Sequence, residues 1–339
     1  MKKCYLYCDP RSINDATNYY CGLIKQSLEI KGYQYEIAHN LSVLKDANVI
    51  FTITELYFFK AKLRYPTKKH IYWAQGVGAE ESKMTMKVAK DYFRYYFRLF
   101  SEPLAVKLSD LLFCVSERMV EYYKETYGLK DRGQIVVMPC YNLRLSNSFN
   151  EKQYDNPSFV YAGGASIWQG VDLMLDVYRN IEKEIPSSRL TLLTKDKDVF
   201  TKKIIERGIK NFDIKYIGVS ELQNELHKYK YGFILRDSNI VNQVATPTKM
   251  NSYLSNYLIP IFSTTVDDFN RHINLGEFSI KIQYPLDSEL IANEIIKFET
   301  ESHDFSKYKQ FVENVFEEHY NDSVYLSEIK KKIERTVGV

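Results

Sequence analysis

Short apolar runs alternate along this chain with longer stretches whose apolar positions recur at helical spacing. Strand–helix–strand units around a parallel sheet produce that alternation. Their strands are apolar throughout, and the covering helices are apolar on one side. Strands are predicted at 3–8, 35–38, 49–53, 71–74, 111–115 and 135–138, with a second series at 159–162, 190–193, 214–217, 231–235, 258–262 and 279–282. Helices are predicted between them, including 18–31, 116–127, 170–184 and 248–256. The stretch 142–157, polar and rich in Asn and Ser, closes on Pro157 where the two series part and has linker composition. The pattern implies an α/β chain of two Rossmann-like domains facing each other across a cleft. The domains span 1–145 and 158–304, joined by a linker at 146–157. Residues 305–339 form one or two amphipathic helices with no strand after them, and this tail is expected to pack back toward the N-terminal domain.

Composition narrows the class. At 339 residues the chain can bury two cores. Its 45% hydrophobic and 26% charged residues are ordinary for a globular protein, and its net charge of +3 is too small to argue for a nucleic-acid partner. No apolar run approaches the roughly 20 residues a membrane span needs. The opening MKKCYLYCDPRS lacks a long apolar core and is expected to be a first strand rather than a signal peptide. The five cysteines are odd in number and unpaired in spacing, which fits buried free thiols in a reducing, cytoplasmic setting. The six histidines are scattered, with none at ligand spacing from another or from a cysteine, so no metal site is expected.

Ligands of such sheets sit at the carboxyl ends of strands, so functional residues are sought there. In the second half, the 159–162 strand runs into Gly163-Gly164-Ala165-Ser166 and then, past Gln169 and Gly170, into a helix. Glycines let a backbone approach a ligand closely, and a helix N-terminus offers free N–H groups to phosphate. The 231–235 strand is followed by Arg236, a polar loop containing Asn242, and Pro247-Thr248, which opens a helix with Lys249 in its first turn. A cation there opposes the helix dipole, which makes sense when an anion is bound by both. Arg236 is placed to clamp the same diphosphate. Lys195 and Val219 follow two neighbouring strands, and Ser252 lies in the same helix as Lys249; all three join the candidate donor set.

Three segments together carry a family resemblance. They are Gly163-Gly164-x-Ser166-x-Trp168-Gln169-Gly170-Val171-Asp172-Leu173, then Leu235-Arg236 through Val241-Asn242 to Pro247-x-Lys249, then Tyr253-Leu254 followed by Pro260-Ile261. In that order they resemble the C-terminal domain of GT-B glycosyltransferases, in particular the family 4-like enzymes of surface-polysaccharide assembly. The resemblance covers about 100 residues, 159–262. It implies a nucleotide-sugar donor of UDP or GDP type, with its diphosphate near Gly163, Gly164 and Lys249 and its base near Val219. It also implies metal-independent, retaining transfer to an acceptor hydroxyl, with no further cofactor. Two departures stand out. Gly164 and Gln169 occupy the places of the arginine and lysine usual in the family's first loop. Ser252 falls where a donor-gripping glutamate is usual, and the partner glutamate's place falls near Val244.

In the first half, Gln75-Gly76-Val77-Gly78-Ala79-Glu80-Glu81 resembles the cleft-edge loop of some relatives. Glu80 and Glu81 are candidate catalytic groups beside Lys249 and Arg236, and Gln75, Gly76, Asn14 and Thr17 are candidate acceptor contacts. The same acids also suit the first turn of a helix. Segment 83–100, read as one helix, gathers Lys83, Lys87, Lys90, Arg94 and Arg98 within about 80° beside a broad aromatic face. Such a helix fits an anionic membrane, the flank of a lipid-linked acceptor's diphosphate, or a core helix with a solvated edge. Together these features predict transfer of a sugar to a glycan or polyprenyl-linked acceptor in surface-polysaccharide synthesis, in the cytoplasm or peripherally on the inner membrane face. Two alternatives stay open. One is a catalytically silent glycosyltransferase-like binding subunit; the other is a sugar-nucleotide epimerase of the same fold.

Overall fold

The computed structural model describes residues 2–13, 15–130 and 133–337. Its strands are β1 (Lys2–Tyr7), β2 (Tyr33–Ala38), β3 (Val49–Thr52), β4 (Lys69–Ala74), β5 (Leu111–Cys114), β6 (Ile135–Val137), β7 (Ser158–Ala162), β8 (Arg189–Leu193), β9 (Phe212–Lys215), β10 (Tyr231–Ile234), β11 (Ile259–Ser263) and β12 (Ile280–Ile282). Its helices are α1 (Asp15–Ile30), α2 (Glu55–Arg64), α3 (Gly78–Met84), α4 (Ala89–Leu108), α5 (Glu117–Tyr127), α6 (Val171–Glu184), α7 (Lys197–Arg207), α8 (Val219–Leu226), α9 (Ile240–Gln243), α10 (Thr248–Leu254), α11 (Asp267–His272), α12 (Ser288–Thr300), α13 (Phe305–Glu318) and α14 (Asp322–Val337). Each predicted strand is present, shifted by two residues at most at either end.

The chain forms two compact units: residues 1–140 with 243–246 and 321–339, and residues 141–242 with 247–320. The first holds a parallel sheet in the order β2-β1-β3-β4-β5-β6. Its inner strands are buried along almost their whole length, as a sheet covered by helices on both faces requires. Ser116 caps α5 by accepting from Met119 N at 3.1 Å, and Gly128 ends it in the left-handed conformation at φ 65°. The final helix α14 belongs to this unit and packs on α1, where Tyr19 donates to Asp322 at 2.9 Å.

The second unit repeats the plan in the order β12-β11-β10-β7-β8-β9, again all parallel. Pro260 lies inside β11, yet its missing N–H costs no ladder bond. Ile259 N already bonds Lys230 O on the β10 side, and β12 joins only from Ile261 onward. Among the described residues no helix is long and apolar enough to cross a membrane.

Segment 83–100 departs from expectation. It is not one helix: α3 ends at Met84 and α4 begins at Ala89. Asp91 accepts from the backbone of Lys87 and Val88 at 3.1 and 3.2 Å and so fixes the new start. Arg98 turns inward, bonding Glu55 at 3.2 Å and Gly78 O at 3.0 Å. The continuous basic stripe therefore does not form.

Candidate functional site

In the second unit the carboxyl ends of β7 and β10 bring the predicted donor residues together. The loop after β7 is held by its neighbours, with Gly163 N donating to Leu193 O at 3.0 Å and Ala165 N to Asp196 Oδ2 at 2.9 Å. Gly170 then turns the chain into α6 at φ 61°, with Leu235 O so close that a Cβ would collide with backbone. Tyr253 of α10 lies flat over Gly232 of β10, and its hydroxyl accepts from Ala162 N at 3.1 Å. That bond ties α10 to the end of β7, and Lys249, one turn before Tyr253 on the same helix, lies against the glycine loop.

Two cations meet here on one neutral oxygen. Lys249 Nζ donates to Gln169 Oε1 at 2.6 Å, and Arg236 Nη2 donates to the same atom at 3.2 Å. Arg236 Nη1 donates to Asn242 Oδ1 at 2.9 Å, and Asn242 is itself held by Asn239 Oδ1 and Asp237 O. Among the described residues neither cation is paired with a carboxylate, and the buried Arg236 Nε has no hydrogen-bond partner. Burial pulls the Arg236 guanidinium down to about 10. Burial, and then the Arg236 charge, push the half-buried Lys249 ammonium well below its ordinary value. The ammonium also lies 4.9 Å over the Tyr161 ring, whose hydroxyl donates to Gly164 O at 2.7 Å. A Cβ on Gly163 would sit 2.8 Å from Lys249 Cε, so the bare glycine is what admits the lysine. A positive site built this way, beside glycine-loop backbone, is chemically suited to a dianion such as a diphosphate.

The other candidates are spread out. Gly164 and Ser166 are exposed on the loop, and Pro247 and Thr248 open α10. Ser252 is buried within α10, where its carbonyl accepts from Ser255 and Asn256. Lys195 is exposed, its ammonium 5.2 Å over the Tyr216 ring. Val219 begins α8, and its side chain lies outside the described residues.

In the first unit, Glu80 and Glu81 stand in the first turn of α3. Glu81 folds back over Gly76, and burial raises its pKa, with Arg98 opposing and Glu55 adding to the rise. Glu80 accepts from Tyr122 at 3.5 Å. Thr17 is buried in α1, Gln75 is exposed, and Asn14 lies outside the described residues. Sequence reasoning missed Glu102. It is fully buried and accepts from Gly78 N, Ala79 N, Tyr123 and Tyr127 at 3.1, 2.9, 3.1 and 3.2 Å. Its carboxylate thus fills the N-terminus of α3, the place a bound anion would otherwise take. Sequence reasoning also missed a cleft of about 480 Å³ at the carboxyl ends of β1 and β3, where the strand order reverses. Its walls include Asp9, Arg11, Glu55, Arg94 and Arg98, and none of the predicted acceptor contacts lines it.

A third group, in the second unit, consists of Asp268, His272 and His319, whose donor atoms lie within 4.8 Å of one another. Asp268 and His272 are four apart on α11, a carboxylate–histidine pair rather than a histidine–histidine or histidine–cysteine one. The two imidazoles stack at 4.4 Å and 9°, so their lone pairs lie in parallel planes and do not converge on one ion.

No protein-family model and no curated protein match the sequence. The two sheets and their strand-end site nevertheless define a class: the chain has the GT-B fold of glycosyltransferases. It is similar to the sucrose-phosphate synthase of Thermosynechococcus elongatus, at 12% identity and TM-score 0.71 over 99% of both chains. It is similar also to HepE of Anabaena, solved with UDP-glucose, at 9% identity and TM-score 0.73 over 99% of this chain and 100% of that one. Staphylococcus aureus TarM, solved with UDP, matches at 12% identity and TM-score 0.63, the match covering 86% of this chain and 57% of TarM. At such identities the likeness establishes the fold.

Proposed function

We propose that the protein is a glycosyltransferase that moves a sugar from a UDP- or GDP-type donor to an acceptor hydroxyl, using the second unit to hold the donor. One observation carries the reading: Arg236 and Lys249 share the neutral Oε1 of Gln169, with no carboxylate partner among the described residues, beside the glycine loop. A donor diphosphate would take over from Gln169 as their partner. When the bond from the sugar C1 to the diphosphate oxygen breaks, charge grows on the leaving group, and two fixed cations stabilise it without a metal. The acceptor oxygen bonds to C1 and its proton goes to a basic oxygen, for which Glu80 and Glu81 are the candidates from the first unit. Retention at C1, a glycan or polyprenyl-linked acceptor and a place in bacterial-type surface-polysaccharide synthesis complete the reading. The site of action would be the cytoplasm, peripherally at the inner membrane face. The HepE and TarM structures, solved with UDP-glucose and UDP, support the donor class by analogy of fold.

Calorimetric titration with UDP, GDP and their sugars tests it, followed by assays of transfer and slow donor hydrolysis. Binding of one nucleotide in the micromolar range, abolished in Arg236→Ala, is the expected result. Absence of binding by every nucleotide refutes the donor site. The silent-subunit reading is favoured by Ser252 and the region of Val244 standing where the resemblance calls for two glutamates. It predicts nucleotide binding with neither transfer nor hydrolysis.

A further inference from the structure

On α4, Tyr92, Phe93, Tyr96, Leu99 and Phe100 are 49, 75, 63, 43 and 60% exposed. At 100° per residue they fill one outward arc of about 120°. Helix α2 packs beside α4 and adds Leu56 and Leu63 at 41 and 68% exposure. Phe59 joins the two helices, meeting the Phe97 and Phe100 rings edge-on at 5.9 and 6.0 Å. A soluble surface rarely gathers this many large apolar side chains on two adjacent helices without a partner. The surrounding charge has one sign. Lys60 and Arg64 share the exposed side of α2 with Leu56 and Leu63, Lys87 and Lys90 are exposed around the start of α4, and Arg94 is exposed on the side of α4 away from the aromatic arc, paired with Asp91. The acids of the two helices, Glu55, Asp91 and Glu102, are buried or half-buried and bonded locally.

We propose that this α2–α4 ridge seats on an anionic lipid bilayer, its aromatic rings at headgroup depth and its lysines and arginines against lipid phosphates. The charge complementarity selects an anionic lipid surface. The position of the ridge adds a reason of its own, because Leu56, Phe97 and Arg94 also line the 480 Å³ cleft at the ends of β1 and β3. A bilayer under the ridge would lie beside the mouth of that cleft, in whose walls Arg11 and Arg98 are paired with Asp9 and Glu55. The proposal rests on the peripheral part of the functional reading and is independent of the donor site.

Sedimentation with phosphatidylcholine vesicles, with and without phosphatidylglycerol, tests it on the full chain without nucleotide. The wild type is expected to pellet with the anionic vesicles, less so as salt rises. Phe93→Ser with Phe100→Ser should weaken partitioning by roughly a hundredfold, since each exposed ring gives up a buried aromatic's worth of transfer free energy. Lys60→Glu with Arg64→Glu should weaken it by at least about tenfold on anionic vesicles and leave the neutral ones unchanged. Unchanged circular dichroism and unchanged UDP or GDP titration in these variants would show that fold and donor site survive. The idea is overturned if the wild type stays in the supernatant, or if the variants pellet as the wild type does. It is equally overturned if ultracentrifugation shows a dimer that the aromatic substitutions convert to monomer, because a second copy would then cover the ridge.

Discussion

Replacing Lys249 by Met gives two readouts of opposite sign. The ammonium lies 2.6 Å from Gln169 Oε1 and shares that atom with Arg236. Burial and the neighbouring guanidinium both work against its charge. Two unit charges ~5 Å apart at an effective dielectric of about 20 repel by about 3 kcal/mol. A charge-assisted hydrogen bond returns about 2 kcal/mol of that. Met keeps the stem and removes the charge, so the nucleotide-free protein should gain about 1 kcal/mol, a rise in Tm of about 2–4 °C. Nucleotide affinity should move the other way. Loss of one charged contact to a diphosphate costs about 2–3 kcal/mol, a rise in Kd of roughly 30- to 150-fold. Scanning calorimetry of the free protein and titration with UDP and GDP measure the two quantities. A Met variant with lowered Tm and unchanged nucleotide affinity would show that Lys249 is a structural cation and refute the electrostatic argument.

Two further substitutions probe parts of the fold that hold the sites. Burial, with Glu55 adding, pushes the Glu102 carboxyl from its ordinary 4.5 up to about 7, against the bonds from Ala79 N, Tyr123 and Tyr127. Between those values the folded chain keeps a proton that the unfolded chain has released. Stability should therefore fall as pH rises through that window, by something of order 3 kcal/mol. Urea melts of Glu102→Gln near about pH 5 and about pH 8 should show the difference reduced; a wild-type slope in the variant would contradict the assignment. Gly170→Ala must adopt φ 61° and push against Leu235 O, so it should cost at least about 2 kcal/mol in denaturant melts. A cost below about 0.5 kcal/mol would mean that the turn into α6 is looser than the close approach indicates.

The parts of the molecule that were legible in the sequence share a physical reason. Strands such as Val49–Thr52 and Leu111–Cys114 are buried on both faces, so composition alone marks them. That Gly163, Arg236, Asn242 and Lys249 come together was legible because loops at the carboxyl ends of parallel strands converge, so they could be collected without knowing any distance. What stayed hidden depends on partners remote in the chain. Gln169 stood out in the sequence only as a departure, a neutral residue where the resemblance calls for a lysine. The fold shows instead that it is the acceptor around which both cations are arranged. Glu102 looked like any helical glutamate, since nothing near it in sequence announces Gly78 and the two tyrosines. The stretch Thr85–Val88 contains neither glycine nor proline, so helical periodicity ran through it unbroken; the stop comes from Asp91 capturing the backbone of Lys87 and Val88. Once the helix restarts there, Arg98 faces Glu55 and the aromatic side chains are left outside. The charge of Arg98, which the pattern assigned to the basic stripe, is thus taken up by Glu55, and the exposed rings of α4 become the feature that needs a partner.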